Sequence, residues 1–215
     1  CIRKIINKEK VDDIDLATNL EPKQVCEALK NNNIKYHESG IEHGTITAIE
    51  DNYIFEITTL RKDIFTDGRH AKVKFSKDWK EDASRRDFTI NSIYSDLEGN
   101  LFDPFNGMKD LENGSINFIG DPEKRIQEDY LRILRYIRFF SNYSKHKHQS
   151  KVLKIIKKNI EGISNLSSER LINEFKKITS SKGFNKLFSE TQSLELIEII
   201  FPQLKNIQKL KKLNS

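Results

Sequence analysis

Asp13 and Asp15 flank one apolar residue in the run Val11-Asp12-Asp13-Ile14-Asp15-Leu16. In a strand, residues two apart share a face, so this spacing sets two carboxylates side by side while Ile14 turns to the core. Two such anions repel each other unless a cation joins them. Mg²⁺ suits that place, because it takes carboxylate and phosphate oxygens and retains several waters. Two ions about 3.5–4 Å apart can hold both the attacking and the leaving oxygen of a phosphoryl transfer. A solvated strand end is the plainer use of an Asp-x-Asp. Glu56 lies in Phe55-Glu56-Ile57-Thr58-Thr59. Period two puts it with Thr58 and opposite Phe55 and Ile57, either as a third carboxylate of the site or as a residue facing water.

The cationic candidates fall into two groups. Arg85-Arg86-Asp87 precedes Phe88-Thr89-Ile90-Asn91. Two adjacent arginines cannot share one face of a strand, so one is expected to meet a polyphosphate and the other to pair with an acid. The planar guanidinium fork suits phosphate; a surface salt bridge is the alternative. Asp129, Arg132, Arg135 and Arg138 are spaced by three on one predicted helix. They drift along one side of it, with Leu131, Leu134 and Ile137 in the neighbouring stripe. An Asp beside an Arg offers an acceptor and donors in fixed geometry, which can imitate a Watson–Crick partner for an incoming base. Cytosine and adenine both present an exocyclic amino donor beside a ring-nitrogen acceptor. The alternative is a helix surface laced with (i, i+3) ion pairs. Gly40, His43, Gly44 and Thr45 open a predicted hairpin, where glycine lets the backbone turn or approach a ligand. Lys145-His146-Lys147-His148 is either a solvated loop or a contact to RNA phosphates.

Short strands and helices must hold these residues. The pattern predicts a strand over 11–16, a helix beginning at Pro22 with Val25, Cys26 and Leu29 on its inner stripe, and a hairpin of Ile46–Ile49 with Tyr53–Leu60 about a turn at 50–52. Residues 65–84 read as a long polar loop. After Gly120 the character becomes helical, with apolar stripes through Ile126–Phe140, Val152–Ile160, Leu171–Ile178 and 187–200. The fold class expected is α+β: a mixed-sheet unit followed by an all-helical one, closely packed because no Gly/Ser-rich linker divides them. The 215 residues, 36% hydrophobic and 32% charged, supply a lean core and an ionic surface. The net charge of +5 suits a polyanionic partner without requiring one. Two cysteines, Cys1 and Cys26, exclude a disulfide framework or a zinc cluster. No apolar run reaches about 18 residues and no signal segment opens the chain, which favours the cytoplasm and excludes a membrane partner. The lack of an initiator Met suggests a fragment.

In order along the chain, these residues resemble the CCA-adding enzymes of the bacterial and eukaryotic class, in the polymerase-β-like nucleotidyltransferase superfamily. Arg3 followed by Asp13-Ile14-Asp15-Leu16-Ala17-Thr18 resembles the family's first motif. Arg86 within Arg85–Asn91 matches the second. Asp103-Pro104-Phe105-Asn106-Gly107 with Asp110-Leu111 is similar to the third. Glu128–Arg132 with Arg135 and Arg138 matches the base-selecting motif, and Ser168-Glu169-Arg170 with Glu174 resembles the fifth. The resemblance implies a nucleotidyltransferase head over 1–120, a helical neck over 121–182 and the beginning of a body over 183–215. It implies Mg²⁺ at Asp13 and Asp15 and nucleotide contacts at Arg3, Arg86, Asp129, Arg132, Arg135 and Arg138; Asp13, Asp15 and Glu56 are the catalytic candidates. The reaction implied is template-independent addition of C, C and A to the tRNA 3′ end from CTP and ATP, the 3′-hydroxyl attacking the α-phosphate and releasing pyrophosphate.

The family's Gly-Gly pair, expected before Cys1, is not in this sequence. Tyr130 stands where the family often has Pro, and members run well beyond 215 residues. Bacterial poly(A) polymerase shares most of these motifs, but Gly40–Thr45 resembles the CCA-adding branch more. The stretch Asp67-Gly68-Arg69-His70 belongs to a full-length flexible loop, which favours complete addition over CC alone and leaves addition of A alone open. An RNA-binding module without activity is the non-enzymatic alternative. The oligomeric state is not fixed by the sequence.

Overall fold

A computed structural model describes residues 1–11, 14–51, 53–66 and 71–204, with the backbone alone at 64–66 and 71–72. By its internal contacts the chain divides into Cys1–Gly107 and Met108–Ser215.

The first unit opens with the short helix α1 (Ile2–Ile6). Strand β1 (Ile14–Thr18) begins three residues later than the predicted strand over 11–16. Helix α2 (Pro22–Asn31) starts where Pro22 predicted. Proline tolerates the first helical turn, and Glu21 and Gln24 close a reciprocal capping box there. Strands β2 (Lys35–Gly40), β3 (Thr45–Glu50) and β4 (Tyr53–Thr59) complete a four-stranded sheet in the order β1-β4-β3-β2. β1 runs parallel to β4 and the other pairs are antiparallel, so the sheet is mixed. Val25, Cys26 and Leu29 of α2 bury against Ile46 and Ala48 of β3, with Phe55 and Ile57 of β4 packed on the same cluster. Gly44 has φ +81°, and a Cβ there would run into the Phe75 ring, so glycine is required where β3 begins.

The expected loop over 65–84 is largely regular structure. β5 (Arg61–Thr66) and β6 (Ala71–Phe75) pair antiparallel, and α3 (Trp79–Ser84) follows, capped by Asp78, whose side chain accepts from Lys80 N and Glu81 N. The stretch Asp67–His70 lies outside the described residues. Helix α3 escapes periodicity because its inward positions are Asp82 and Ala83, and Asp82 counts as polar in any hydrophobic pattern. The short strands β7 (Tyr94–Ser95) and β8 (Leu101–Phe102) form a further hairpin.

The second unit is helical: α4 (Gly107–Asn113, entered from the last residue of the first unit), α5 (Pro122–Glu128), α6 (Leu131–Tyr143), α7 (Ser150–Asn159), α8 (Ser168–Thr179), α9 (Phe184–Ser189) and α10 (Thr191–Ile200). Ile133, Leu134 and Ile137 of α6, Ile156 of α7, Ile178 of α8 and Leu196 of α10 are all fully buried. On α8 the expected inner stripe is corrected, since Ile172 is half-exposed while Glu174 is buried. Among the described residues no helix is long and apolar enough to cross a membrane.

His148, grouped by sequence with a possible phosphate-binding loop, is instead buried. Its Nδ1 lies 3.1 Å from the Tyr136 hydroxyl and its Nε2 2.7 Å from Ser193 Oγ, while its ring stacks on Phe140. Burial lowers its pKa from 6.5 to about 4, with Glu190 opposing and Lys186 adding to the fall. The unfolded chain therefore takes up a proton at higher pH than the folded one, and stability declines as pH falls from 6.5 toward 4. Between pH 7.5 and 5 this site should cost about 2 kcal/mol. Urea unfolding at the two pH values measures it, and His148→Gln should flatten that pH dependence.

Candidate active site

Asp15 and Glu56 are direct register partners across the parallel β1–β4 pairing, and Glu56 is paired on its other side with Thr47. Because Phe55 and Ile57 are committed to the α2 core, pleating sends Glu56 and Thr58 to the opposite face. The Thr58 hydroxyl meets that of Thr45 at 3.1 Å there. Asp13 lies outside the described residues, so the described acidic pair is Asp15 with Glu56. The Asp15 side chain is 60% exposed, Glu56 is also exposed, and both line a cleft of about 690 Å³. Among the described residues no group of three or more His, Cys, Asp or Glu side chains is arranged to hold a metal ion. Asp15 and Glu56 are the oxygen donors placed for one.

Arg61, Arg85 and Arg86 also line this cleft. Arg85 and Arg86 do not part to opposite sides as they would in a strand: both reach the same carboxylate. Asp82, 1% exposed, accepts from Arg85 Nε at 2.9 Å and Arg86 Nη2 at 3.3 Å. It also accepts from the Tyr94 hydroxyl at 2.6 Å and the Arg61 backbone N–H at 3.1 Å. The two arginines meet because residues 85 and 86 follow helix α3 rather than lying in a strand, which puts them three and four residues after Asp82. Burial acts to raise the Asp82 pKa, but the Arg85 and Arg86 charges and the donated hydrogen bonds hold it below its ordinary value. Burial pushes Tyr94 up to about 12. Neither Asp82 nor Tyr94 is evident as a site residue by type alone. The i−3, i−4 offset from the arginine pair is the signal that marks Asp82.

A second polar chain anchors Arg3. Buried Asp87 accepts from Asn91 Nδ2 at 2.9 Å, and Asn91 Oδ1 in turn accepts from the Arg3 guanidinium. Asn91 lines the cleft.

In the second unit, Asp129, Arg132, Arg135 and Arg138 do not share one helix. Helix α5 ends before Asp129, whose backbone is extended at φ −158°, ψ 104°, and α6 begins at Leu131. Asp129 accepts from Leu131 N at 3.2 Å and pairs with Arg170 at 2.8 Å. Arg132 pairs instead with Glu128 at 2.6 Å and donates to the Arg125 carbonyl. Arg138 pairs with Glu174 at 2.6 Å and lies 4.3 Å above the Phe139 ring, with Arg135 near the same ring at 5.6 Å. The residues around 170 therefore brace those around 129–138 from a different helix. Tyr130 packs flat on Gly162, where any Cβ would overlap its ring.

A mixed sheet carrying an acidic pair beside clustered arginines, joined to a helical unit, is the architecture of a nucleotidyltransferase head with its helical extension. Residues 1–117 match the family model described as "Poly A polymerase head domain", and residues 149–208 match "Probable RNA and SrmB- binding site of polymerase A". The chain belongs to the CCA tRNA nucleotidyltransferase and poly(A) polymerase family. It is 44% identical over 202 residues to human "CCA tRNA nucleotidyltransferase 1, mitochondrial", covering 93% of this chain and 46% of that protein. The Bacillus stearothermophilus CCA-adding enzyme solved with CTP superposes with a TM-score of 0.77 at 28% identity, over 91% of this chain and 45% of that one. A tRNA nucleotidyltransferase solved with a primer tRNA and an incoming ATP analogue gives a TM-score of 0.76 at 27% identity, over 99% of this chain and 61% of that one. The chain spans about half the length of the human relative.

The Arg138–Glu174 pair tests the bracing. The Glu174 side chain is 3% exposed, and removing its charge takes a close counter-charge from Arg138 in a place of 14% exposure. Glu174→Ala should cost about 3 kcal/mol of stability in denaturant unfolding, with Glu174→Gln milder.

Proposed function

We propose that this chain is the catalytic part of an enzyme that adds C, C and A to the 3′ end of tRNA from CTP and ATP without a template, releasing pyrophosphate. The observation that carries this reading is the side-by-side placement of Asp15 and Glu56 in a cleft shared with Arg61, Arg85 and Arg86. Acid beside guanidinium is what a nucleoside triphosphate needs: carboxylates for its metal ion and forks for its phosphate oxygens.

Asp15 and Glu56, with Asp13 completing the set, are the residues that would hold Mg²⁺. When bound there, the ion neutralises phosphate charge and polarises the oxygens undergoing exchange. Arg86 is assigned to the phosphates and Arg3 to the nucleotide, with Asn91 fixing its guanidinium. In the second unit Asp129 is assigned the base edge. Its carboxylate is held by Arg170 and Leu131 N, so its acceptor geometry is set before a base arrives. Arg132, braced by Glu128 and the Arg125 carbonyl, supplies a donor, and Arg135 and Arg138 back it. The division into a head over 1–120, a neck over 121–182 and the start of a body from 183 is part of the same proposal. So is a cytoplasmic site of action, supported by two free cysteines; the human relative is named as mitochondrial.

The test is direct. Incubated with tRNA ending at the discriminator base, at C or at CC, and with CTP and ATP, the protein should leave products ending in CCA when their 3′ ends are sequenced. A long A tail on generic RNA would assign it to poly(A) synthesis, and growth from CC ends only would assign it to addition of A alone. Asp15→Ala and Glu56→Ala should each reduce incorporation at least about a hundredfold. Asp129→Ala should instead relax base choice, raising UTP and GTP use relative to CTP and ATP by about tenfold at little cost to the fold.

A further inference from the structure

We infer that Asp82, with Tyr94, is a positioning residue that fixes Arg85 and Arg86 for the triphosphate of the incoming nucleotide. The inference rests on the proposed nucleotidyltransferase reading of the same cleft.

Asp82 is unlike the other acids of this cleft. Asp15 and Glu56 are open to solvent, whereas Asp82 is 1% exposed and does not line the cleft. Four donors converge on its two oxygens: Arg61 N–H and Arg85 Nε on Oδ1, Arg86 Nη2 and the Tyr94 hydroxyl on Oδ2. A carboxylate has about four lone-pair sites, so these donors saturate it. It is therefore not available as a metal ligand or a general base. What it does is hold side by side two guanidinium groups that repel each other. The arginine side chains differ in exposure, 13% for Arg85 and 37% for Arg86, so Arg86 is the one presented to a ligand and Arg85 lies deeper. Tyr94 donates to the same carboxylate oxygen as Arg86 and its ring stands edge-on to Trp79, at 5.4 Å and 80°. That ring contact ties the clamp to helix α3.

Coulomb's law and positioning predict opposite signs. Removing one negative charge beside a phosphate site should tighten binding of a polyanion if charge alone mattered. If Asp82 acts by orientation, its loss should weaken binding, because the arginines no longer converge. The measurement is calorimetric titration of this protein with CTP, and separately with inorganic tripolyphosphate, at low and at moderate salt. Asp82→Asn preserves shape and one acceptor but loses the charge, and its amide must face donors. It should weaken both ligands by about tenfold, in line with losing a charge-assisted hydrogen bond. In turnover the KM for CTP should rise while the KM for tRNA stays put. Tyr94→Phe keeps the charge, removes one of the four donors and should weaken tripolyphosphate by roughly threefold. Should Asp82→Asn fail to show a native unfolding transition, Tyr94→Phe decides the matter in the same way. Unchanged or tighter binding by a folded Asp82→Asn, or unchanged binding by Tyr94→Phe where that variant decides, overturns the positioning role alone. Failure of the unsubstituted protein to bind either ligand overturns the triphosphate site itself and the inference with it.

Discussion

The parallel pairing of β1 with β4 is the constraint on which the cleft depends. It sets Asp15 directly beside Glu56, and pleating does the rest. Phe55 and Ile57 are pulled to the helix side by the α2 core, which drives Glu56 to the other face. A slip of one residue in that register would set Asp15 opposite Phe55 or Ile57 and break up the acidic pair. Hydrophobic packing on one face therefore enforces an electrostatically unfavourable arrangement on the other. Two neighbouring carboxylates with high exposure are tolerable in water, and they become useful when a cation shares them.

The opposite logic operates elsewhere in the first unit. Asp82 is buried and surrounded by donors, and there the anion serves the cations. Its depressed pKa follows from Arg85 and Arg86 outweighing burial. The same economy recurs in the second unit, where Arg138 and Glu174 are both largely buried and Asp129 meets Arg170 from another helix. In each case a charged side chain that sequence marks as a ligand contact has a protein partner in the structure. Such partners fix rotamers, and a fixed rotamer is what allows one side chain to distinguish ligands.

Much of this was legible in the sequence. The side of β4 on which Glu56 stands followed from period two, the start of α2 from Pro22, and the mixed head and helical remainder from the change of pattern near Gly120. The illegible parts hang on polar groups that find partners within the protein. Helix α3 carries an Asp where periodicity looks for an apolar residue, so it read as loop. The break at Asp129 leaves only a slight mark, a step of five from Ile126 to Leu131 ahead of the three-residue steps to Leu134 and Ile137. That Asp129 would meet Arg170, 41 residues away, is a tertiary fact, whereas Arg132 meets Glu128 only four residues back. The triplet spacing of the arginines argued for one helix face, and an extended residue at 129 changed the phase.

The contact between Tyr130 and Gly162 ties two distant positions into a single choice. An aromatic ring following Asp129 is accommodated because residue 162 contributes no side chain at all. A small or cyclic imino residue at the first position would place no such demand on the second. Among related sequences the two sites should therefore drift as a couple, and a side chain placed at 162 opposite an unchanged Tyr130 would wedge apart the joint beside Asp129.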